Sequence, residues 1–422
     1  MKYFINSVAT CSSRLGCIRD IERLPGLVFE TPLVLLYTKG GSVPHLSHEV
    51  LQMVTKDQQP LHIPISTVAH CHEAVAAYNR GIADFIGLKE HLTFCSLHDP
   101  AIATPQGFND RETVSLWLRN GRRQIDPDKY MDMIEAFQPD MYQVLCDGDT
   151  NLTSSNKRVQ KSMERSIAMF DKCIARHEKS EVLKGSAVLG VVEGGYSTLS
   201  REKSAKHLAD GPVLGFVIDG LHNNGPEVEH IPIADVKPVL QETLKHLPSG
   251  KLRMVHGCWS PGAVLQLVEL GIDAFDSSYP HIVTERGGAL LFQNCLASAD
   301  AADSSTLEQP LKKKQRTLVD GIAAANSSPE HGSDIKYEIT LTDKKYAEDF
   351  SPLSDSCRCL ACRQHTRAYI HHLLQTRELL GPVLLSIHNL HHYLEFFRSI
   401  REALKSNSLD TLQKCVNLGV QE

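Results

Sequence analysis

The sequence predicts an α/β protein, a (β/α)8 TIM-like barrel extended by a cysteine-rich C-terminal subdomain. Three observations predict it. Short runs rich in Val, Ile and Leu alternate with longer amphipathic stretches from residue 30 to about 295. These runs show little polar alternation, as strands buried on both faces should. No G-x-G-x-x-G follows any of them, which weighs against an open dinucleotide-binding sheet.

The expected strands are LVLLY (33–37), ADFIGL (83–88), MYQVL (141–145), AVLGVV (187–192), VLGFVI (213–218), LRMVH (252–256) and DAF (273–275). The expected helices between them are Cys71–Asn79, Asp128–Phe137, Lys157–Arg176, Ser200–Ala209, Asp235–His246 and Pro261–Leu270. Several open on a capping residue or an early proline, such as Ser260-Pro261. About eight strand–helix units favour a closed barrel. Gly194-Gly195 after VVE reads as a tight βα turn.

Composition bounds the function. With 422 residues, 44 Lys+Arg against 50 Asp+Glu and a net charge of −6, the chain is an ordinary globular one. It is too acidic to coat nucleic acid over its whole surface. No run approaches the ~20 apolar residues of a membrane span. The N-terminus lacks a signal core, so synthesis in the cytosol is expected. The cysteines are accordingly expected as thiols or metal ligands. Nine lie singly (Cys11, Cys17, Cys71, Cys95, Cys146, Cys173, Cys258, Cys295 and Cys415) and read as free thiols.

The chain divides into a barrel over 1–297, a low-complexity insertion over 298–334, and a segment over 335–422 that completes the barrel. The insertion has no aromatic residue and is rich in Ser, Ala and Asp, a composition expected to stay disordered. Its LKKKQR (311–316) reads as a solvated charge run. Ile335, Tyr337, Ile339 and Leu341 then alternate with polar residues as in an edge strand, and two amphipathic helices follow.

Cys357, Cys359 and Cys362 place three thiols within six residues. Soft thiolates select zinc over hard cations, and a tetrahedron needs one more ligand. The candidates are His365, His371, His372, His388, His391 and His392. Three thiolates and a histidine leave no open position, so the site reads as structural. In a (β/α)8 barrel chemistry sits at the C-terminal ends of the strands. The polar residues there are Asp99, Asp147, Asp149, Glu193, Asp219, His256 and Asp276. They support a polar pocket or, as Asp219 before Gly220 allows, caps for the helices that follow.

The stretch CRCLACRQHTRAYIHHLL with His388-Asn389 resembles the zinc region of the tRNA-guanine transglycosylases, which carry C-x-C-x-x-C and a histidine 26 positions later. The resemblance continues through LGVVEGG, SAKHLA, GFVIDGL and GIDAFDSSYP, most of the chain outside the insertion. It implies one zinc ion on Cys357, Cys359, Cys362 and His388. It places Asp276 at the family's nucleophile, Asp147 at a base-contacting position and Asp99 at the general base.

The departures imply a different role. The family's Asp-Ser-Gly-Gly-Phe-Gln stands as HDPAIATPQGFN (98–109), its base-reading glutamine as Glu193, its Gly-Gly-Leu-Ala-Val-Gly-Glu as DGLHNNGP (219–226), and its Thr-Arg-x-Ala-Arg as HIVTERGG (281–288). The pattern is similar to non-catalytic members that pair as heterodimers with a catalytic subunit, bind tRNA with a GUN anticodon and lie on the cytoplasmic face of the mitochondrial outer membrane. The alternatives are an active transglycosylase with Asp276 as nucleophile and Asp99 as base, and an unrelated zinc hydrolase. The basic face expected to meet tRNA runs from Cys357 to Lys405, which carries +4 while the rest of the chain carries −10.

Overall fold

The computed structural model describes residues 1–9, 12–293 and 336–420. Eight parallel strands close into a barrel: Leu33–Tyr37, Pro60–Pro64, Leu92–Ser96, Met141–Gln143, Ala187–Val192, Gly215–Ile218, Leu252–Met254 and Ala274–Asp276. The eighth strand pairs with the first, Phe275 opposite Val34, and abolishes both sheet edges. All five residues of the first strand are buried, as a strand covered on both faces requires.

Two strands depart from the sequence reading. Residues 83–88 are not a strand: Gly81–Phe85 is a short helix and a turn follows. A brief apolar run fits a buried strand or a buried helical turn equally well, and here packing decided. The second and third strands are instead Pro60–Pro64 and Leu92–Ser96. Prolines at both ends of Pro60–Pro64 hid it, although a strand terminus tolerates them. All six expected helices are present, among them the 24-residue Asn156–Lys179 with Ser155 as its N-cap.

Elements outside the barrel close its two ends. A three-stranded antiparallel sheet (Lys2–Val8, Arg14–Arg19, Phe29–Thr31) precedes the first barrel strand. Its buried Arg14 pairs with Asp273 and donates to the Ser249 and Lys251 carbonyls, tying the sheet to the strand bottoms. A hairpin, Val114–Leu118 with Gly121–Ile125, follows the third strand. After the eighth strand, Gly288–Leu290 pairs antiparallel with Glu338–Thr340, the strand expected near 335–341. The insertion expected over 298–334 lies wholly outside the described residues.

The chain then forms Leu360–Gln364, Arg367–Gln375 and the 26-residue Leu380–Lys405. The last lies along the barrel: Phe397 packs on Phe275, and Arg401 donates to the Pro32 carbonyl. Nine described cysteines are free thiols. Cys415 departs from the expectation, being disulfide-bonded.

Candidate metal centre and barrel mouth

The four C-terminal ligand candidates converge. Cys359 caps the Leu360–Gln364 helix, and its Sγ accepts the Cys362 N–H at 3.4 Å, so the helix start fixes two thiols side by side. The long helix delivers His388, which is fully buried, across from them. His388 Nδ1 lies 3.7, 3.6 and 3.2 Å from the sulfurs of Cys357, Cys359 and Cys362. A tetrahedral zinc with bonds of about 2.3 Å to sulfur and 2.0 Å to nitrogen spaces S and N about 3.5 Å apart. The donor set and its spacing therefore fit a zinc-sized ion.

The other ring nitrogen completes the argument. His388 Nε2 donates to the Leu290 carbonyl at 2.8 Å, which leaves the Nδ1 lone pair facing the thiols. His371 and His392 are used elsewhere, on the carbonyls of Leu341 and Phe292. These four residues can hold a metal ion.

The barrel mouth gathers the other candidates but not into one pocket. A cavity of about 700 Å³ opens there, lined by Lys39, His98, Asp99, Ile102, Trp117 and Arg119 among others. Of the six strand-end carboxylates, Asp99 alone is among its lining residues. Its oxygens accept the Tyr37 hydroxyl at 2.8 and 2.9 Å and the Ala101 N–H at 3.0 Å. Burial nonetheless raises its pKa above the ordinary carboxylate value.

Asp147 is closed off from within. Arg158 grips both its oxygens at 3.0 and 2.5 Å, Arg165 adds a bond at 3.0 Å and Asn109 one at 2.7 Å. Burial would raise its pKa, but the hydrogen bonds and charge of Arg158, with Asn109 and Arg165, outweigh burial and hold it low. The two arginines lie seven residues apart on one face of Asn156–Lys179. The i, i+7 spacing beside a strand-end aspartate was the signal available in the sequence, and it was missed.

Glu193 is fully buried, and neither carboxyl oxygen has a hydrogen-bond partner among the described residues. Burial and the neighbouring Asp219 carboxylate push its pKa well above the usual range. Beneath it, buried Arg201 donates to the Gly195 and Val192 carbonyls at 2.8 Å each. Gly194 makes the expected tight βα turn. Its φ is +146°, and a Cβ there would meet the Arg201 amide nitrogen at 2.7 Å.

Asp276 ends the eighth strand, 2% exposed, and accepts the Gly257 and Ser278 N–H groups at 2.8 Å each. Burial raises its pKa to about 6 against those two bonds. His256 Nδ1 stands 3.9 Å from it, and His256 stacks on His62 with centroids 5.0 Å apart. Burial pushes His256 down to about 3 and His62 well below 6.5, so both rings are neutral. His62 was missed because it sits in a strand the sequence did not reveal.

A profile of the queuine tRNA-ribosyltransferase family matches residues 10–417. The chain is 39% identical over 406 residues to the queuine tRNA-ribosyltransferase accessory subunit 2 of Homo sapiens, covering 96% of each. It is 38% identical to that of Xenopus tropicalis over 99% of both chains, and 41% identical to that of Ixodes scapularis over 88% of this chain and 89% of the relative. With the barrel and the cysteine–histidine cluster in place, the chain belongs to the queuine tRNA-ribosyltransferase family.

Proposed function

We propose that this chain is the non-catalytic subunit of a queuine tRNA-ribosyltransferase. It pairs one-to-one with a catalytic homologue, helps to hold tRNA with a GUN anticodon, and leaves exchange of guanine for queuine at the wobble position to that partner. The observation that carries the reading is Asp147, whose carboxylate is saturated by Arg158, Arg165 and Asn109. A base edge would have to compete with three charge-assisted bonds to reach it. The position of the family's base-reading glutamine holds a carboxyl, Glu193, sealed from the cavity. A site that cannot orient the base gains nothing from a well-placed aspartate.

The metal centre serves architecture in this reading. One zinc ion on Cys357, Cys359, Cys362 and His388 would staple the C-terminal helices to the Leu290 strand, with no ligand position left for chemistry. The zinc-bearing end supplies both the subunit contact and part of the tRNA surface. No helix among the described residues is long and apolar enough to cross a membrane. The place of action we propose is the cytoplasm, peripheral to the mitochondrial outer membrane.

The test is base exchange with tRNA and labelled guanine or queuine. The chain alone should incorporate no label, and mixing with the catalytic homologue should give a 1:1 complex that does. Incorporation by the chain alone, abolished by Asp276→Ala, overturns the proposal in favour of an active transglycosylase.

A further inference from the structure

Inside the barrel a second set of metal donors stands apart from the cysteine cluster. His62, on the second strand, His256, just beyond the seventh, and Asp276, on the eighth, each offer one ligand atom, and these atoms lie within 4.8 Å of one another. Nothing in the accessory role uses them. We propose that His62, His256 and Asp276 bind a divalent first-row transition ion of the zinc or iron(II) class.

Four observations carry the proposal. Both Nδ1 atoms are buried and have no hydrogen-bond partner among the described residues. A buried orphan ring nitrogen is costly, and a metal bond removes that cost. The opposite nitrogens are engaged: His256 Nε2 meets Gln143 Oε1 at 2.9 Å, and His62 Nε2 meets Ser96 Oγ at 2.6 Å. Since Oε1 only accepts, Nε2 of His256 carries the proton and Nδ1 presents its lone pair toward Asp276 Oδ2, 3.9 Å away. This is the outer-shell arrangement that orients metal-binding histidines.

The donors are also chemically consistent. Two imidazoles and one carboxylate suit zinc or iron(II), and three protein ligands leave a position for water or an anionic donor. An ion bonded at about 2.1 Å to each would hold them about 3.4 Å apart, so the side chains must close in by at most roughly 1.4 Å. Fully buried His62 and Asp276 form the floor, and His256, with its side chain 10% exposed, is where an ion enters.

The test is metal stoichiometry on the full chain, expressed in cobalt-supplemented medium, desalted and assayed by mass spectrometry and visible absorption. Wild type should carry two equivalents: one with intense thiolate-to-cobalt charge transfer, one with only weak d–d bands. Asp276→Asn and His256→Gln should each drop to one equivalent while keeping the thiolate band, which also reports that the C-terminal region has folded. His62→Gln is the third variant should either of these fail that check. A wild type with a single equivalent overturns the proposal, as does a second equivalent that survives all three substitutions. The readout needs neither tRNA nor partner, so it stands or falls separately from the accessory reading.

Discussion

Glu193 shows how one residue's surroundings set its charge. It stands beside Asp219 and Arg201, out of contact with solvent, and burial followed by the Asp219 charge disfavours its ionised form. In the unfolded chain a glutamate ionises near pH 4.3. A folded-state pKa raised above that value means the fold retains a proton that the unfolded chain releases, so stability falls as pH climbs past about 4.3. Glutamine at this position has no such dependence. Glu193→Gln should therefore gain on wild type as the pH rises from 5 to 8, read from urea unfolding at both pH values. A difference that stays flat would mean that Glu193 is ionised in the fold. Placement at a strand end was legible for Glu193, Asp147 and Asp276, because each follows a Val-, Leu- or Phe-rich run. Their partners were not, since Arg158 and Asn109 lie 11 and 38 residues away and only the fold brings them to Asp147.

At the scale of elements, four side chains, Cys357, Cys359, Cys362 and His388, join the cysteine loop to the long C-terminal helix. Leu360–Gln364 is a five-residue helix, far too short to persist unaided. Its cap, Cys359, is itself a metal ligand candidate, so in the proposed zinc site loss of the ion would remove the crosslink and leave only the cap. Metal sites of this kind couple binding to folding. Cys359→Ser, or prolonged chelation, should abolish amide-exchange protection over 357–375 and release the Gly288–Leu290 pairing, while the barrel strands stay protected. Exchange measured by mass spectrometry checks this, and uniform protection after metal loss would refute it. The three-cysteine cluster was readable because its members are adjacent in sequence. The choice among six histidines was not, since it depends on which ring the long helix turns toward the loop.

For the whole molecule the charge distribution matters more than the total. The residues from Cys357 to Lys405 carry +4 on a chain of −6. Some of that charge is spent internally: Arg401 and Lys405 lie near Glu30, and Arg398 pairs with Glu395. Arg358, Arg363 and Arg377 are exposed, with no ion pair among the described residues. They are the cations left for phosphate. If this end meets tRNA, binding by the assembled heterodimer should weaken with salt. Replacing Arg358 and Arg363 together by Ala should lower the slope of log K against log salt by about 1 to 2. Fluorescence anisotropy across a salt series measures it, and an unchanged slope would place the contact elsewhere.

The sequence by itself determined the barrel architecture and the cysteine–histidine set that can hold a metal ion. Hydrophobic period and cysteine spacing are local properties, and resemblance resolved the one choice they left open. The tertiary structure decided what the carboxylates do. Asp147, Glu193 and Asp276 look alike along the chain, yet one is clamped by two arginines, one is fully buried beside the Asp219 carboxylate, and one faces a pair of histidines. Their neighbours come from other strands and helices, and in a closed barrel it is the closure that brings those neighbours together.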